Sequence, residues 1–315
     1  MLAILEGGCS SAQIAAFLVA LRMKGETPDE LFGFARAMRE KSTKVEAGSD
    51  QEPLLDTCGT GGDGGHTFNI STIAAFVVAG AGVRVAKHGN RSLASSCGSA
   101  DLLEELGVQL LTEPQAVADA IREVGIGFMF APAFHPAMKH AQPARAELKM
   151  RTVFNLLGPL ANPANATRQL IGAPSPRAAE LMAQALGRLG CERAFVVHGA
   201  DALDEVTTTG STEVFEVRLN CVQRFSWSPA DFGVERAQLA DLAGGERAIN
   251  RKIATSILEG ERGPRRDIVL VNAAAALIAA GLAANPAEAM RIAKESVDSG
   301  AAAAKLEALA KFSGR

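Results

Sequence analysis

The sequence predicts an α/β protein: a small all-helical domain plus a larger α/β domain with a mostly parallel central sheet flanked by helices. Three observations carry this. Two helical periodicities fill roughly the first forty residues, a polar stretch without apolar periodicity occupies 42–53, and short apolar runs then alternate with capped helical segments. That alternation implies a parallel sheet, because parallel neighbours need a crossover connection, usually a helix.

The elements follow in order. Ser10-Ser11-Ala12-Gln13 has the form of a capping box, after which Ile14, Phe17, Leu18 and Leu21 share one helical face. Thr27-Pro28-Asp29-Glu30 repeats the signal with proline at the first helical position, leading into Leu31, Phe34, Ala35 and Met38. Candidate strands are Leu54–Cys58, Val83–Ala86, Gly127–Ala131, Gln169–Gly172 and Ala194–His198. Candidate helices between them span 71–81, 100–106, 113–124 and 176–189, with Thr112 and Ser175 as caps for the last two. The charged helical section from His135 to Leu160 interrupts the alternation and is expected to pack with the N-terminal helices. The expected division is therefore 1–47, joined by roughly 135–160, against an α/β domain of 52–134 and 161–315. Helices around 267–282, 286–299 and 301–312 close the chain.

Composition narrows the class. Among 315 residues, 48% are hydrophobic and 21% charged, and the net charge of -3 argues against a general nucleic-acid binder. Five widely spaced cysteines (Cys9, Cys58, Cys97, Cys191 and Cys221) form no CxxC pair, so reduced thiols in a cytoplasmic protein are expected. The N-terminus has no basic segment leading into a long apolar one. The alanine-rich stretch from Val269 to Ala284 carries Asn272 and is too short to span a bilayer comfortably, so it reads as a buried helix.

Chemistry concentrates in two places. Gly59, Gly61, Gly62, Gly64 and Gly65 lie between a strand and a helix start, where backbone N–H groups can approach phosphate oxygens. Gly59-x-Gly61-x-x-Gly64 also matches a dinucleotide fingerprint, but the acidic residue expected about twenty positions on is missing, none occurring before Asp101. No Gly-Lys-Ser/Thr closes the run, which excludes a Walker loop. Thr67, Asn69, Ser71 and Thr72 read either as caps or as ligand groups. Between Gly64 and Ala100 there is no Asp or Glu, yet Arg84, Lys87 and Arg91 are present, so these cations are expected to be unopposed and to hold a heavily phosphorylated small molecule. Farther on, Asp204-Glu205 follows a strand end and has the hard oxygens that Mg²⁺ prefers, although such a pair in isolation is more often a solvated loop. The five histidines show no metal or nucleophile spacing.

The motifs together resemble those of the anthranilate phosphoribosyltransferases. Asp56-Thr57-Cys58-Gly59-Thr60-Gly61-Gly62-Asp63-Gly64, Asn69-Ile70-Ser71-Thr72 and Lys87-His88-Gly89-Asn90-Arg91-Ser92 carry the likeness. It continues through Phe130-Ala131-Pro132, His135-Pro136, the run from Arg151 to Leu160, Val197-His198-Gly199, Leu203-Asp204-Glu205-Val206 and Asp298-Ser299-Gly300-Ala301. The resemblance implies transfer of phosphoribose from phosphoribosyl pyrophosphate (PRPP) to the amine of anthranilate, a step of tryptophan biosynthesis, without a covalent nucleophile. It places PRPP on Gly59, Gly62, Asp63, Thr67, Asn69, Ile70, Ser71, Thr72, Lys87, His88, Gly89, Asn90, Arg91, Ser92, Leu93, Ala94, Ser95 and Ser99. It places anthranilate on Gly59, Asn90 and Arg145, with His88, Pro132 and His135 nearby, and two Mg²⁺ ions on Ser71, Asp204 and Glu205. It further implies a homodimer through the helical domain, with neither nucleic acid nor membrane as partner. Two positions depart from the family's pattern: Met138, where some members present tyrosine near the anthranilate site, and Cys97, within a stretch that is often all Ser and Gly. A nucleoside phosphorylase, a nucleic-acid-binding relative and a dinucleotide oxidoreductase fit these motifs less well.

Overall fold

The computed structural model describes residues 1–47, 53–61, 67–92 and 96–315. Helices α1 (Leu2–Leu5), α2 (Ser11–Lys24) and α3 (Pro28–Glu40) open the chain, followed by β1 (Leu55–Gly59), α4 (Ile70–Gly80), β2 (Val85–Gly89), α5 (Ser99–Glu105), α6 (Pro114–Glu123) and β3 (Ile126–Phe130). Three short helices, α7 (Ala131–Phe134), α8 (Gln142–Leu148) and α9 (Phe154–Leu160), precede β4 (Arg168–Gly172), α10 (Pro176–Arg188) and β5 (Arg193–Gly199). The chain ends with β6 (Thr212–Arg218), β7 (Cys221–Trp227), α11 (Arg247–Leu258), α12 (Pro264–Ala280), α13 (Pro286–Asp298) and α14 (Ala301–Ser313).

The strands form one sheet in the order β3-β2-β1-β4-β5-β6-β7, parallel from β3 to β5 and antiparallel at β6 and β7. Strand order reverses between β1 and β4: β2 and β3 grow to one side of β1, the later strands to the other. Alternate side chains on each strand serve opposite faces. On β5, Phe195 and Val197 join the core under α4, α12, α13 and α14, while Ala194 and Val196 join the one under α10 and the N-terminal helices. Residues of α8 and α9, among them Ala144, Phe154 and Leu157, are buried in that second cluster with Ile14, Leu18 and Leu31.

The expected caps hold at Ser10, Thr27 and Ser175, whose side chains accept from the third helical N–H. Thr112 is not the cap; α6 starts at Pro114, so Glu113 holds the N-cap position, without a capping side-chain hydrogen bond. The second strand runs Val85–Gly89 rather than 83–86, because Val83 N–H donates to Val78 O and closes the preceding helix. Lys87 therefore lies inside the strand, in register with Phe128, and not beyond its end. The hairpin β6–β7 and helix α11 have no counterpart among the expected elements.

Trp227, the sole tryptophan, closes this edge of the sheet by edge-to-face contact with Phe195, Phe225 and Phe232 at 4.9, 5.3 and 5.4 Å. Trp227→Ala is expected to cost about 3–5 kcal/mol, read as a fall in Tm by circular dichroism. A melting curve unchanged from wild type would contradict the packing described.

Candidate active site

Strand order reversal leaves a crevice beyond the carboxyl ends of β1 and β4, where open α/β sheets bind ligands. A cleft of about 870 Å³ occupies that place. One wall is the α/β domain: Gly59 to Gly61 after β1, Thr67 to Thr72 leading into α4, Lys87 to Ser92 on and after β2, and Cys97 to Ser99. The other wall comes from α8, α9 and the turn between them, with Gln142, Arg145, Lys149, Arg151 and Phe154. Asp204 and Glu205 lie at the base.

Each described residue named from the sequence for PRPP, anthranilate or metal lines this cleft: Gly59, Thr67, Asn69, Ile70, Ser71, Thr72, Lys87, His88, Gly89, Asn90, Arg91, Ser92, Ser99, Arg145, Asp204 and Glu205. Gly62, Asp63, Leu93, Ala94 and Ser95 lie outside the described residues. Pro132, His135 and Met138 are not among the lining residues; Met138 packs against the helical core and His135 stands behind His88. Cys97 does line it.

Adjacent residues of β2 serve the two walls. Lys87 points to the α4 side, its ammonium donating to Thr57 O of β1 and lying 3.5 Å from Ser71 Oγ of α4. His88 points the other way, its Nδ1 3.2 Å from Gly158 O in α9. Lys87 is only 3% exposed. Burial lowers its pKa, while Asp56, Cys58 and Glu205 pull it back. An anion in the cleft would restore the charge that burial disfavours.

The cations of this region are not unopposed. Arg91 pairs with Asp101 Oδ1 at 3.0 Å and with Glu104 Oε1 at 2.7 Å, carboxylates that α5 brings back over the loop. These partners raise its pKa, Glu104 first and Asp101 next. Asp101 also accepts the Gly98 and Ser92 N–H groups at 2.9 and 3.2 Å, which ties both ends of the loop together. Asn69 precedes α4 without capping it; its amide donates to Cys97 O at 3.0 Å and its Oδ1 accepts from Asn250 at 3.2 Å. The start of α4 thus lines the cleft without a side-chain cap from Asn69, which suits an anion.

Asp204 reaches the cleft through a gap that only glycine leaves. Gly59 and Gly172 end β1 and β4 in register. A methyl on Gly172 would lie 1.6 Å from Asp204 O, and one on Gly59 would lie 2.7 Å from Asp204 Oδ2. Asp201 braces the same loop, accepting Leu203 N–H at 3.1 Å and the Thr207 hydroxyl at 2.5 Å. No group of three or more His, Cys, Asp or Glu side chains gathers among the described residues. Two carboxylates and a hydroxyl are hard oxygen donors that fit Mg²⁺ with phosphate and water completing its shell, and do not fit a soft metal.

Residues 51–303 match the glycosyl transferase family a/b domain, and residues 1–42 match the helical bundle domain of the same family. An anthranilate phosphoribosyltransferase of Solibacter usitatus is 64% identical over 309 residues, covering 98% of this chain and 91% of that protein. The chain belongs to the anthranilate phosphoribosyltransferases. As a member it is a transferase, and the helical bundle beside a seven-stranded α/β domain is the family's fold. The crystal structure of the Thermus thermophilus enzyme superposes with a TM-score of 0.94 at 45% identity, covering all of this chain and 93% of that one. The Saccharomyces cerevisiae enzyme in complex with PRPP and Mg gives 0.89 at 31% identity, covering 96% and 85%, and its complex with 4-fluoroanthranilate gives 0.87 at 28%, covering 99% and 90%.

Some cleft residues carried no sequence-based role. Arg151 donates to Gly61 O at 2.6 Å, joining the helical wall to the glycine loop across ninety positions of chain. Phe154 lies under the Arg145 guanidinium, 5.3 Å from ring centroid to Cζ. Both belong to the Arg151–Leu160 motif, but nothing local in the sequence marks which of its residues face the cleft.

His88 and His135 stack at 5.0 Å, and each has a buried Nε2 without a hydrogen-bond partner. Burial lowers their pKa values, to about 3 and about 4, from the usual 6.5. Both imidazoles are neutral across the physiological range. Because the unfolded chain takes up protons below pH 6.5 and the fold does not, stability is expected to fall as pH drops from 6.5 towards 4. Thermal unfolding against pH checks this, and His135→Gln should make the decline shallower. An unchanged slope would contradict the assignment.

Proposed function

We propose that this chain transfers the phosphoribosyl group of PRPP to the amine of anthranilate, forming N-(5-phosphoribosyl)anthranilate and pyrophosphate for tryptophan biosynthesis. The observation that carries the reading is the pairing of two unlike walls across one cleft: a phosphate-suited wall at the start of α4 and beside Lys87, and opposite it Arg145, for which no carboxylate partner exists among the described residues. The yeast relative's complexes with PRPP and Mg, and with 4-fluoroanthranilate, support it.

In this reading Lys87, Ser71, Thr72, Asn69, Thr67 and the Gly89–Ser92 turn hold the pyrophosphate and phosphoribosyl groups, with Ser99, Ile70 and His88 behind them. Gly62, Asp63, Leu93, Ala94 and Ser95 complete the PRPP-binding set. Asp204, Glu205 and Ser71 hold two Mg²⁺ ions, which supply charge neutralisation to the leaving group when bound. Arg145 grips the anthranilate carboxylate, and Asn90 and Gly59 lie between the two substrates. The C1–pyrophosphate bond breaks with its electron pair leaving on pyrophosphate as the amine nitrogen bonds to C1, through a cationic sugar, and the nitrogen then gives up its proton to water or to the released pyrophosphate. Lys87 stabilises the charge that develops on the departing oxygens. With a pKa of about 3, His88 is too weak to act as a general base at neutral pH. Positioning of the amine and electrostatic stabilisation therefore carry the reaction.

Two further parts of the reading concern the whole protein. We place it in the cytoplasm, supported by five cysteines spaced so widely that no CxxC pair occurs; no helix among the described residues is long and apolar enough to cross a membrane. We also assign it a homodimer through the helical unit, supported by an open groove that Met1, Leu2, Gly33, Phe34 and Ala37 line.

The expected result is loss of anthranilate fluorescence on adding PRPP with Mg²⁺, and no loss without either. Arg145→Ala should raise KM for anthranilate by about 1.5–3 kcal/mol, roughly ten- to a hundredfold, and leave KM for PRPP within about twofold. Steady fluorescence with folded protein, or equal effects on both KM values, would refute the assignment.

A further inference from the structure

Helix α12 is buried along most of its length and built largely from Ala, Val, Leu and Ile, yet in its middle stands Asn272, 0% exposed. A buried amide costs stability unless its hydrogen bonds are made. Here two of them are made to the backbone of one residue in another segment. Asn272 Oδ1 accepts Val206 N–H at 2.9 Å and its Nδ2 donates to Val206 O at 2.9 Å, as a neighbouring strand would. A third bond, Nδ2 to Ile268 O at 2.9 Å within the helix, fixes the amide's orientation. Val206 directly follows Asp204 and Glu205 and is itself 1% exposed.

We infer that Asn272 is the positioning residue for the Asp204–Glu205 pair, holding the peptide after Glu205 so that both carboxylates present to a divalent cation on pyrophosphate. This rests on reading that pair as metal-binding. The contacts divide the task by side. Gly172 and Gly59 admit the loop from beneath, where any Cβ would collide with Asp204. Asn272 fixes it from behind, bonded to both the N–H and the C=O of Val206. A merely structural amide would be satisfied by its own helix. This one instead engages the loop that carries the acidic groups, from a helix that lines no part of the cleft among the described residues.

The test uses the whole protein and Mn²⁺ as probe, its binding measured by electron paramagnetic resonance with inorganic pyrophosphate present. Asn272→Leu leaves both Val206 groups unpaired. Asn272→Asp keeps the acceptor for Val206 N–H but sets oxygen against oxygen at Val206 O and Ile268 O. Each is expected to weaken Mn²⁺ binding by about tenfold or more, the usual effect of removing a group that orients a metal ligand. Trp227→Ala, destabilised at the far edge of the sheet, should keep wild-type Mn²⁺ affinity. Variants that melt earlier yet bind Mn²⁺ within about twofold of wild type overturn the inference by showing a structural role alone. Failure of both variants to fold overturns it too, since a residue that only positions a loop leaves the sheet intact. Wild type that binds no Mn²⁺ with pyrophosphate would overturn the reading of the pair itself, a distinguishable result.

Discussion

The site depends on one close approach: the backbone of Asp204 lying against Gly172. With β1 and β4 adjacent and in register, their last residues form the floor of the crevice, and both are glycine. Any side chain at Gly172 would occupy the Asp204 carbonyl, so the acidic loop could not cross the strand ends. The rest of the cleft is arranged around that loop. Strand order reverses at this point, α4 starts beside it, and β2 sets Lys87 towards the α4 start and His88 towards the helical wall.

A second constraint is the burial of polar groups under this floor. Asp56 is fully buried, accepting His88 N–H at 3.1 Å and the Asn162 amide at 2.8 Å. Burial pushes its carboxyl pKa up, and Lys87, Asn162 and the His88 amide oppose that push. The same burial keeps His88 and His135 neutral. The cleft therefore holds a desolvated ammonium, whose charge an anion favours, beside a His88 imidazole that stays neutral. Preorganised charge of that kind favours breaking a bond to pyrophosphate, because little reorganisation accompanies the growth of negative charge.

Much of this was legible in the sequence where the signal is local. Gly59, the Gly89–Ser92 turn and the Asp204–Glu205 pair sit at or just beyond strand ends, and an alternating pattern reveals strand ends. The caps at Ser10, Thr27 and Ser175 have their partners three residues on. What escaped depends on distance or on missing punctuation. Arg91 looked unopposed because its acids lie ten and thirteen positions downstream, on α5. The hairpin β6–β7 turns through Leu219 and Asn220, both with positive φ (48° and 67°), and neither is the glycine that usually marks such a turn. Arg151 meets Gly61 only once the helical insertion is folded over the sheet. Asn272 was visible as an oddity within an apolar stretch, but its partner is sixty-six residues away.

The central claim is that divalent cations bind on the Asp204 loop at the strand-order reversal and face the start of α4. Anomalous diffraction from crystals soaked with Mn²⁺ and PRPP tests it most directly. The account expects peaks within coordination distance of the Asp204 and Glu205 carboxylates, with the pyrophosphate reaching Lys87 and the α4 N–H groups. Peaks elsewhere in the protein, or phosphates seated away from Lys87, would contradict it.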